Sequence, residues 1–585
     1  MVYHGDQRRD GMTLMVDKEQ NKSFFPTVIS LGNTGFESIR ENNSFYIDKT
    51  AFIQEWWENQ DVATLITRPR RFGKSLNLNM LECFFSKKYA NRGELFEGLS
   101  IWEKEGYREL QGSYPVISFS FADVKGRNFA AAREAVCQVL LDLYAQFDFL
   151  LEGEKLGKAE REYFSMVTPE MSDTTAAMAV KRLSMCLNRF YGKKVLIFLD
   201  EYDTPLQEAY MYGYWEELTA FIRGLFNSTF KSNPCLERAL LTGITRVSKE
   251  SIFSDLNNLA VVTTTTEQYA ESFGFTEKEV FQALETFGMA DGEKDIRFWY
   301  DGFAFGEKKG IYNPWSITCY LKEGKLKPYW ANTSSNQLIG KLIREGSTEI
   351  KMVMENLLTG KDFWTEIDEE IVFDQLQKKK GAVWSLLLAS GYLKVEESVF
   401  EERSGRYRYR LGLTNQEVRM LFEDMISDWF SDEVVPYNAF LKALLANDVD
   451  YMNEYMNRVA ESVFSSFDSG KEPSEASNPE RFYHGFVLGL IVELEGKYRI
   501  RSNRESGFGR YDVMMEPLDK KQNAFILEFK VRNPKREKDL EETAANALKQ
   551  ISEKDYDREL LNAGVSGKQI FHYGFAFEGK KVLIR

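Results

Sequence analysis

Six consecutive residues, Arg70-Arg71-Phe72-Gly73-Lys74-Ser75, carry the side chains best suited to gripping phosphate in this chain. They follow the apolar run 62–66, whose composition predicts a buried strand. A glycine lets main-chain amides approach phosphate oxygens, the lysine ammonium can bridge two phosphates, and the serine hydroxyl can ligate Mg²⁺. The helix predicted to start at Lys74 adds its positive N-terminal end to the same place. The segment therefore predicts a nucleotide-binding turn, with all six residues as nucleotide contacts.

A second apolar run, residues 195–199, ends in two carboxylates, Asp200 and Glu201. An aspartate at the end of such a strand is expected to hold Mg²⁺, usually through water, and the adjacent glutamate can orient and polarise the attacking water. Asp203 is a further metal ligand or a structural carboxylate. Turn and strand in this order predict an ATPase with ATP and Mg²⁺ as cofactors.

Another strand is predicted at 238–242, beside the one that ends in Asp200. Thr242 or Thr245 at its end could sense the γ-phosphate. Arg246 is a candidate arginine finger or sensor, although a surface salt bridge explains an arginine there equally well.

The turn departs from the full Gly-x-x-x-x-Gly-Lys-Ser pattern, because Arg68 stands where the first glycine falls. A chance match to Gly-Lys-Ser is the competing interpretation. The order of turn, strand and acidic pair favours nucleotide binding, whereas hydrolysis depends on how the arginine is accommodated.

Near the C-terminus the sequence predicts a hairpin with Asp512 on its first strand and Glu528 and Lys530 on its second. Alternation along a strand places the glutamate and the lysine on one face. Two carboxylates with an adjacent lysine suit phosphodiester hydrolysis assisted by Mg²⁺, or by Mn²⁺ in its place, with Asp512 and Glu528 as metal ligands. Lys530 would position or deprotonate the water.

Two further residues are accessory candidates for this site. Gln550, on a helix predicted over 540–551, could contact nucleic acid or the lysine, and Glu505 offers an additional acid. The competing interpretation is a surface hairpin whose Glu-Phe-Lys segment faces solvent in cross-strand pairs.

Composition sets limits on the class of protein. With 585 residues the chain is expected to form three to four domains, and 43% hydrophobic and 14% aromatic residues are typical of packed globular proteins.

No apolar stretch is long enough to span a membrane and residues 1–22 lack a signal core, so we expect a cytoplasmic protein without membrane contact. The five scattered cysteines are typical of a reduced, intracellular chain. A net charge of −14 argues against coating of nucleic acid, although the segment from Arg481 onward is weakly basic.

Taken together, the ordered motifs resemble a bacterial AAA-ATPase-like family whose members typically end in a PD-(D/E)XK nuclease-superfamily domain. The N-terminal motifs are Asp48-Lys49-Thr50, the arginine-rich turn, Leu199-Asp200-Glu201-Tyr202-Asp203, Leu241-Thr242-Gly243-Ile244-Thr245-Arg246 and Trp299-Tyr300-Asp301-Gly302. The C-terminal motifs are Tyr483-His484-Gly485, Gly509-Arg510-Tyr511-Asp512 and Glu528-Phe529-Lys530, which adds His484 as an accessory candidate. The resemblance implies an additional-strand ATPase fold, ATP and Mg²⁺ as cofactors, and metal-dependent nuclease chemistry.

We therefore predict an α/β multidomain chain. Alternating strands and helices indicate a parallel sheet of the P-loop, AAA-like type, and a helix with a hairpin at 382–413 indicates a winged-helix-like module before a restriction-endonuclease-like α/β domain. The predicted divisions are a polar tail at 1–22, an ATPase domain at 23–260, a helical lid region at 261–345, a helical and winged-helix-like region at 346–464, a linker at 465–479 and a nuclease-like domain at 480–585.

Three functions are open at this stage. The first is an ATP-regulated nuclease that acts on nucleic acid, in defence or mobile-element biology. The second is an ATP-dependent signalling switch that binds a protein partner, or a further copy of itself, and whose C-terminal module binds nucleic acid without cutting it. The third is a scaffold in which both sites are vestigial.

Overall fold

The computed structural model describes residues 28–246, 252–253, 258–331, 337–344, 348–358, 360–368, 381–428, 438–463, 487, 491, 494, 496–506, 509–579 and 581–585. The predicted tail 1–22, the predicted linker 465–479 and His484 lie outside these residues. Within the described ranges, no helix has both the length and the apolar character needed to cross a bilayer.

Five parallel strands form the sheet of the N-terminal domain. They are β1 (Ala63–Thr67), β2 (Val116–Ser120), β3 (Val195–Asp200), β4 (Leu236–Gly243) and β5 (Leu259–Val262). Their order is β2-β3-β4-β1-β5. Strand β4 therefore lies between β1, which precedes the phosphate-gripping turn (residues 68–75), and β3, which ends in Asp200. This insertion is the additional-strand arrangement, and the predicted fold class is confirmed.

Helices cover both faces of this sheet, as expected for parallel strands. Along β3, Ile197 and Leu199 pack into one apolar cluster, whereas Leu196 and Phe198 pack into another on the opposite face. The α-helices of this part of the chain are Phe36–Glu41, Ala51–Asn59, Lys74–Phe85, Glu105–Arg108, Phe129–Ala145, Lys158–Met166, Asp173–Tyr191, Thr204–Tyr212 and Trp215–Phe226.

Two small sheets follow in the middle of the chain. The first contains β6 (Phe275–Thr276), β7 (Phe303–Phe305) and β8 (Lys308–Tyr312), and the second contains β9 (Phe363–Glu366), β10 (Leu393–Glu401) and β11 (Arg406–Leu413). The predicted hairpin is the antiparallel pair β10–β11, which follows a helix as in a winged-helix module. The helices here are Glu277–Thr286, Glu293–Tyr300, Pro314–Glu323, Gln337–Arg344, Thr348–Leu358, Ala382–Ala389 and Gln416–Asp428.

The C-terminal domain is built on a mixed five-stranded sheet. Its strands are β12 (Tyr498–Ser506), β13 (Gly509–Pro517), β14 (Ala524–Val531), β15 (Ile570–Glu578) and β16 (Lys581–Ile584), in sequential order. All pairs are antiparallel except β14 with β15, whose connection carries the helices Leu540–Glu553 and Asp557–Asn562. A parallel pair needs such a crossover, which places a helix over the face that carries Glu528.

Helices Asn438–Ala446 and Val449–Val463 pack against the other face of the C-terminal sheet. Asn453 exchanges two 2.8 Å hydrogen bonds with the main chain of Ile584, and Asn457 bonds the main chain of Val582 in the same way. These side chains cover the open edge of β16, which would otherwise offer unpaired main-chain groups. The domain boundaries stay predictions, and this packing leads us to group residues 438–463 with the C-terminal domain.

Candidate functional site

The phosphate-gripping turn joins the end of β1 to the helix Lys74–Phe85. Arg71 and Gly73 both have left-handed main-chain conformations, with φ of 64° and 81°. An added Cβ at Gly73 would meet no atom within 4 Å, so the positive φ rather than crowding favours glycine there. The turn aims main-chain amides and the helix N-terminus at one point, which suits an anion.

Lys74 is the first residue of that helix and its side chain is buried. Its ammonium donates to the main-chain oxygens of Arg68 at 3.0 Å and Pro69 at 2.8 Å. Burial lowers the pKa of Lys74, and the negative charges of Asp200 and Glu201 oppose this shift. The lysine thus spans the turn it belongs to, at the position from which it can reach phosphate oxygens.

Ser75 and Asp200 meet at the carboxyl end of the sheet. The Ser75 hydroxyl donates to one Asp200 oxygen, while the Thr242 hydroxyl and the Glu201 amide, the latter at 3.0 Å, donate to the other. A hydroxyl and a carboxylate are the hard oxygen ligands that Mg²⁺ prefers, so these residues fit that ion. The hydroxyls of Ser75 and Thr242 already donate to both oxygens of Asp200. Contact between Asp200 and the ion through a water molecule therefore fits this arrangement better than direct ligation.

Glu201 follows directly and adopts a left-handed conformation with φ of 50°. Such a conformation is costly for a residue with a side chain and is found at functional sites. The carboxylate accepts a 3.1 Å hydrogen bond from Thr204 and lines the large cavity beside the turn. A carboxylate in this position can hold a water molecule that faces a bound phosphate.

The hydrogen bonds of Asp203 favour the structural one of its two predicted roles. It is buried and accepts hydrogen bonds from the main-chain amides of Ile244 and Thr245 and, at 2.7 Å, from the Thr245 hydroxyl. Thr245 is therefore turned toward Asp203, and neither it nor Arg246 belongs to the described residues that line the cavity. Phosphate sensing by these two residues stays a prediction, one that this geometry does not favour.

Arg68, which stands in place of the first glycine of the pattern, points away from the turn. Its guanidinium donates to the main-chain oxygens of Thr263 at 2.7 Å and Gln268 at 3.2 Å and lies 4.2 Å from the centre of the Phe305 ring. Burial lowers the pKa of Arg68 to about 9. The side chain thus fastens the turn to the segment after β5 and leaves the phosphate side of the turn open.

A cavity of about 710 Å³ extends from the turn toward the N-terminal segment and the helix Pro314–Glu323 of the lid region. Arg70 and Arg71 both line it, and the Arg71 guanidinium lies 4.5 Å from the centre of the Trp315 ring. Phe72 also lines it, while its ring packs into the core with its centre 4.8 Å from that of Phe303. Pockets of this size hold cofactors in many proteins, so the volume is sufficient for a nucleotide.

Side chains of the lid region donate hydrogen bonds to the main chain of the turn. Arg70 O accepts hydrogen bonds from the Asn313 amide at 3.3 Å and from the Trp330 indole at 3.0 Å. Trp330 N in turn donates to Glu417, which also accepts from Ser316 at 2.9 Å. Sequence reasoning missed Trp330 and Glu417, since partners 87 to 260 residues away leave no local pattern.

The second candidate site lies on the C-terminal sheet. The register of β13 with β14 pairs Val513 with Leu527, which places Asp512 opposite Glu528. Asp512 accepts a 2.8 Å hydrogen bond from the main-chain amide of Phe529, and Glu528 is buried. The predicted convergence of the two carboxylates on one face is therefore observed, although their chemical role stays a prediction.

Gln550 joins the two functional groups of β14. Its amide nitrogen donates to Glu528, and its oxygen accepts a 2.7 Å hydrogen bond from the Lys530 ammonium. Tyr556 lies beside it: burial raises the pKa of this tyrosine, and the Glu528 and Asp512 carboxylates raise it further. The Tyr556 hydroxyl also accepts a 3.4 Å hydrogen bond from the Gln550 amide, a contact that sequence reasoning did not propose.

The donor set determines whether this site fits a divalent ion. Two adjacent carboxylates supply hard oxygen ligands, which fit Mg²⁺ or Mn²⁺. In the described part of the chain, no group of three or more His, Cys, Asp or Glu side chains is arranged to hold a metal. The Glu505 side chain and His484 lie outside the described residues, and their accessory roles stay predictions.

Comparisons with known proteins agree with the two domains. The family model described as "Predicted AAA-ATPase" matches residues 30–253, and the model described as "PD-(D/E)XK nuclease superfamily" matches residues 478–585. The chain thus carries a domain of the predicted AAA-ATPase family followed by a domain of the PD-(D/E)XK nuclease superfamily, which confirms the resemblance inferred from its motifs.

Two individual proteins are also similar. An uncharacterised protein in the vnfD 5'region of Azotobacter chroococcum mcd 1 is 24% identical over 549 residues, covering 90% of this chain and 92% of that protein. A solved structure of a Signal Transduction ATPase with Numerous Domains, with a tetratricopeptide repeat sensor, from Pyrococcus horikoshii is 12% identical with a TM-score of 0.23. That alignment covers 77% of this chain and 54% of the other, about half its length, and at this TM-score it carries no argument on fold or function.

Proposed function

We propose that the chain binds and hydrolyses ATP and that the bound nucleotide controls a metal-dependent nuclease site in its C-terminal domain. The observation that carries the first part is the contact between Ser75 and Asp200 beside Lys74 and a cavity large enough for a nucleotide. The observation that supports the second part is the convergence of Asp512, Glu528 and Lys530 on one sheet face.

In the ATPase site each group has a distinct task. Lys74 exchanges its main-chain partners for phosphate oxygens and orients the phosphates toward the attacking water. Ser75 and Asp200 would hold Mg²⁺. The ion supplies charge neutralisation on the phosphates. Glu201 orients and polarises the attacking water and accepts its proton.

In the nuclease site, Asp512 and Glu528 hold the divalent ion, which stabilises negative charge on the scissile phosphate. Lys530 positions the attacking water or takes its proton, and its charge offsets the negative charge that develops on the phosphate. The Gln550 amide donates to one oxygen of Glu528 and can orient this carboxylate while the group binds the ion.

Contacts between the turn and the winged-helix-like region support coupling between nucleotide and nuclease. An added Cβ on Gly391, at the base of the β10–β11 hairpin, would lie 2.8 Å from the Pro69 ring of the turn. Glu417 lies on the helix Gln416–Asp428, and the next described helices, from Asn438 onward, pack on the C-terminal sheet. We propose that a change in the turn reaches the nuclease domain along this part of the chain.

The direct test is cleavage of plasmid and single-stranded DNA with Mg²⁺ or Mn²⁺, in the presence and absence of ATP. We expect Glu528→Ala and Lys530→Ala to abolish cleavage while ATP hydrolysis continues. We expect Lys74→Ala to abolish ATP hydrolysis and, where gating is strict, cleavage as well. Normal ATP hydrolysis by Lys74→Ala would show that the nucleotide site is misassigned.

A second candidate function is an ATP-dependent switch that binds a protein partner, with a C-terminal module that binds nucleic acid without cutting it. The bridge from Glu528 through Gln550 to Lys530 favours it, because both functional groups are engaged by a neutral side chain. The net charge of −14 also suits protein partners better than long nucleic-acid contacts. ATP hydrolysis without cleavage under any metal condition would favour this function. A role in defence or mobile-element biology is a proposal for either case.

A further inference from the structure

Five cationic side chains line the nucleotide cavity, and one of them has no assigned role. They are Lys49, Arg70, Arg71, Lys74 and Lys125. Lys49 forms a 2.7 Å ion pair with Glu279, Lys74 spans the turn, and Arg71 stacks on Trp315. Among the described residues Lys125 has no ion-pair partner, and it lies in the loop after β2, at the carboxyl end of the sheet where nucleotides bind.

The loop that carries Lys125 is fastened to the ATPase site. The main-chain amide of Phe121 donates a 3.0 Å hydrogen bond to the main-chain oxygen of Asp200, and Asp200 immediately precedes Glu201. Val124 is fully buried, and Gly126 packs so closely that an added Cβ would lie 2.7 Å from Ala132 N. Lys125 is thus held between two fixed neighbours on the Glu201 side of the cavity.

The negative charges on this side of the cavity favour a cation beside them. Glu201 and Glu208 both line it, and a terminal phosphate held near Glu201 would add further negative charge. Like charges that share a partly enclosed site repel one another, and a positioned cation offsets that repulsion. Arg246, the sequence-based candidate for this role, does not belong to the described residues that line the cavity.

We propose that Lys125 contacts the terminal phosphate of bound ATP and lets the site distinguish ATP from ADP. This inference rests on the proposed ATP binding. It assigns Lys125 a contact with the part of the nucleotide that hydrolysis removes, whereas the main-chain amides of the turn contact phosphates that both nucleotides share.

The test measures binding of fluorescent ATP and ADP analogues to the full chain with Mg²⁺. We expect Lys125→Ala to weaken ATP binding about tenfold or more and to leave ADP binding within about twofold of wild type, as expected for loss of a charged hydrogen bond. Lys125→Arg keeps the charge and should retain most of the preference for ATP. Arg127→Ala, in the same loop but outside the cavity wall, is the matched control and should change neither affinity.

The outcomes separate this inference from the proposed function. If wild type binds neither nucleotide, the proposed ATPase fails and the inference fails with it. If wild type binds both and Lys125→Ala binds both equally well, or loses both equally, ATP binding stands and the assignment of Lys125 is overturned. Thermal unfolding of each variant identifies a loss of affinity that arises from misfolding.

Discussion

The indole N–H of Trp330 donates a 3.0 Å hydrogen bond to the main-chain oxygen of Arg70, in the middle of the phosphate-gripping turn. Trp330 is buried between Phe303, at 5.6 Å between ring centres, and Tyr392, at 5.5 Å. Tyr392 precedes the β10–β11 hairpin, so a single side chain connects the turn to the winged-helix-like region. A shift of the turn on nucleotide binding must therefore move or break contacts of this tryptophan.

Replacing Trp330 with phenylalanine removes the N–H donor and keeps an aromatic ring in the core. We expect ATP affinity to fall about two- to tenfold, the range for loss of one hydrogen bond, and ATP to alter DNA cleavage less than in wild type. Binding titrations and the cleavage assay measure both effects. Trp364→Phe is the control, since Trp364 is 40% exposed on β9. Equal effects of the two substitutions would contradict the role of the Trp330 contact.

The left-handed conformation of Gly73 predicts a separable effect on binding. Gly73→Ala forces a side chain into φ of 81°, at a cost of about 1–2 kcal/mol in folding free energy. Gly192, the C-cap of the helix Asp173–Tyr191, has φ of 67°, and its added Cβ would likewise meet no atom within 4 Å. Gly192→Ala should therefore destabilise similarly, as measured by thermal unfolding, while only Gly73→Ala weakens ATP binding. Loss of ATP affinity in both would point to a general loss of folding.

Glu417 predicts a pH dependence of stability. Burial raises the pKa of Glu417 from 4.5 to about 7, despite hydrogen bonds from Ser316 and Trp330. The folded state thus binds the proton more tightly than the unfolded state, so this group makes folding less favourable as pH rises from 4.5 to about 7. Glu417→Gln removes that change. We expect the unfolding free energy of the variant, relative to wild type, to improve by up to about 3 kcal/mol between pH 5 and 8.

Chemical denaturation of both proteins at several pH values measures this difference. The exposed Glu402 provides the control, since Glu402→Gln should show a difference from wild type that is flat across the range. A flat difference for Glu417→Gln as well would contradict a buried, proton-binding carboxylate at this position.

Gly574 predicts how the nuclease site is assembled. It pairs with Glu528 across β14 and β15, and an added Cβ would lie 2.6 Å from Ala544 O in the helix that carries Gln550. We expect Gly574→Ala to push this helix off the sheet, destabilise the domain by about 1–3 kcal/mol and reduce DNA cleavage or binding. Gly567→Ala is the matched control, because its Cβ would lie 3.7 Å from the Leu561 side chain and is easily accommodated. Thermal unfolding and the cleavage assay distinguish the two, and wild-type behaviour of Gly574→Ala would contradict this packing.

Local patterns in the sequence were sufficient for the fold class. Apolar runs bounded by a glycine-containing turn or by carboxylates predicted β1 and β3, because burial on both faces of a parallel sheet requires such runs. The alternation of Glu528 and Lys530 likewise predicted a shared face, since side-chain direction in a strand follows from its period of two. Each of these inferences depends on residues that are close in sequence.

Contacts between distant segments decided the rest. Arg68 stands where the nucleotide-binding pattern has a glycine, and only its contacts explain it. Its guanidinium donates to the main-chain oxygens of Thr263 and Gln268, 195 and 200 residues away in sequence. Thr245 turns to Asp203 because a buried carboxylate requires donors, a demand that the sequence does not express. Lys125 lines the cavity, Trp330 contacts the turn and Glu417 contacts Trp330, each from a separate element. Local periodicity carries no information on such pairings, so only the tertiary packing determines which side chains surround the nucleotide cavity.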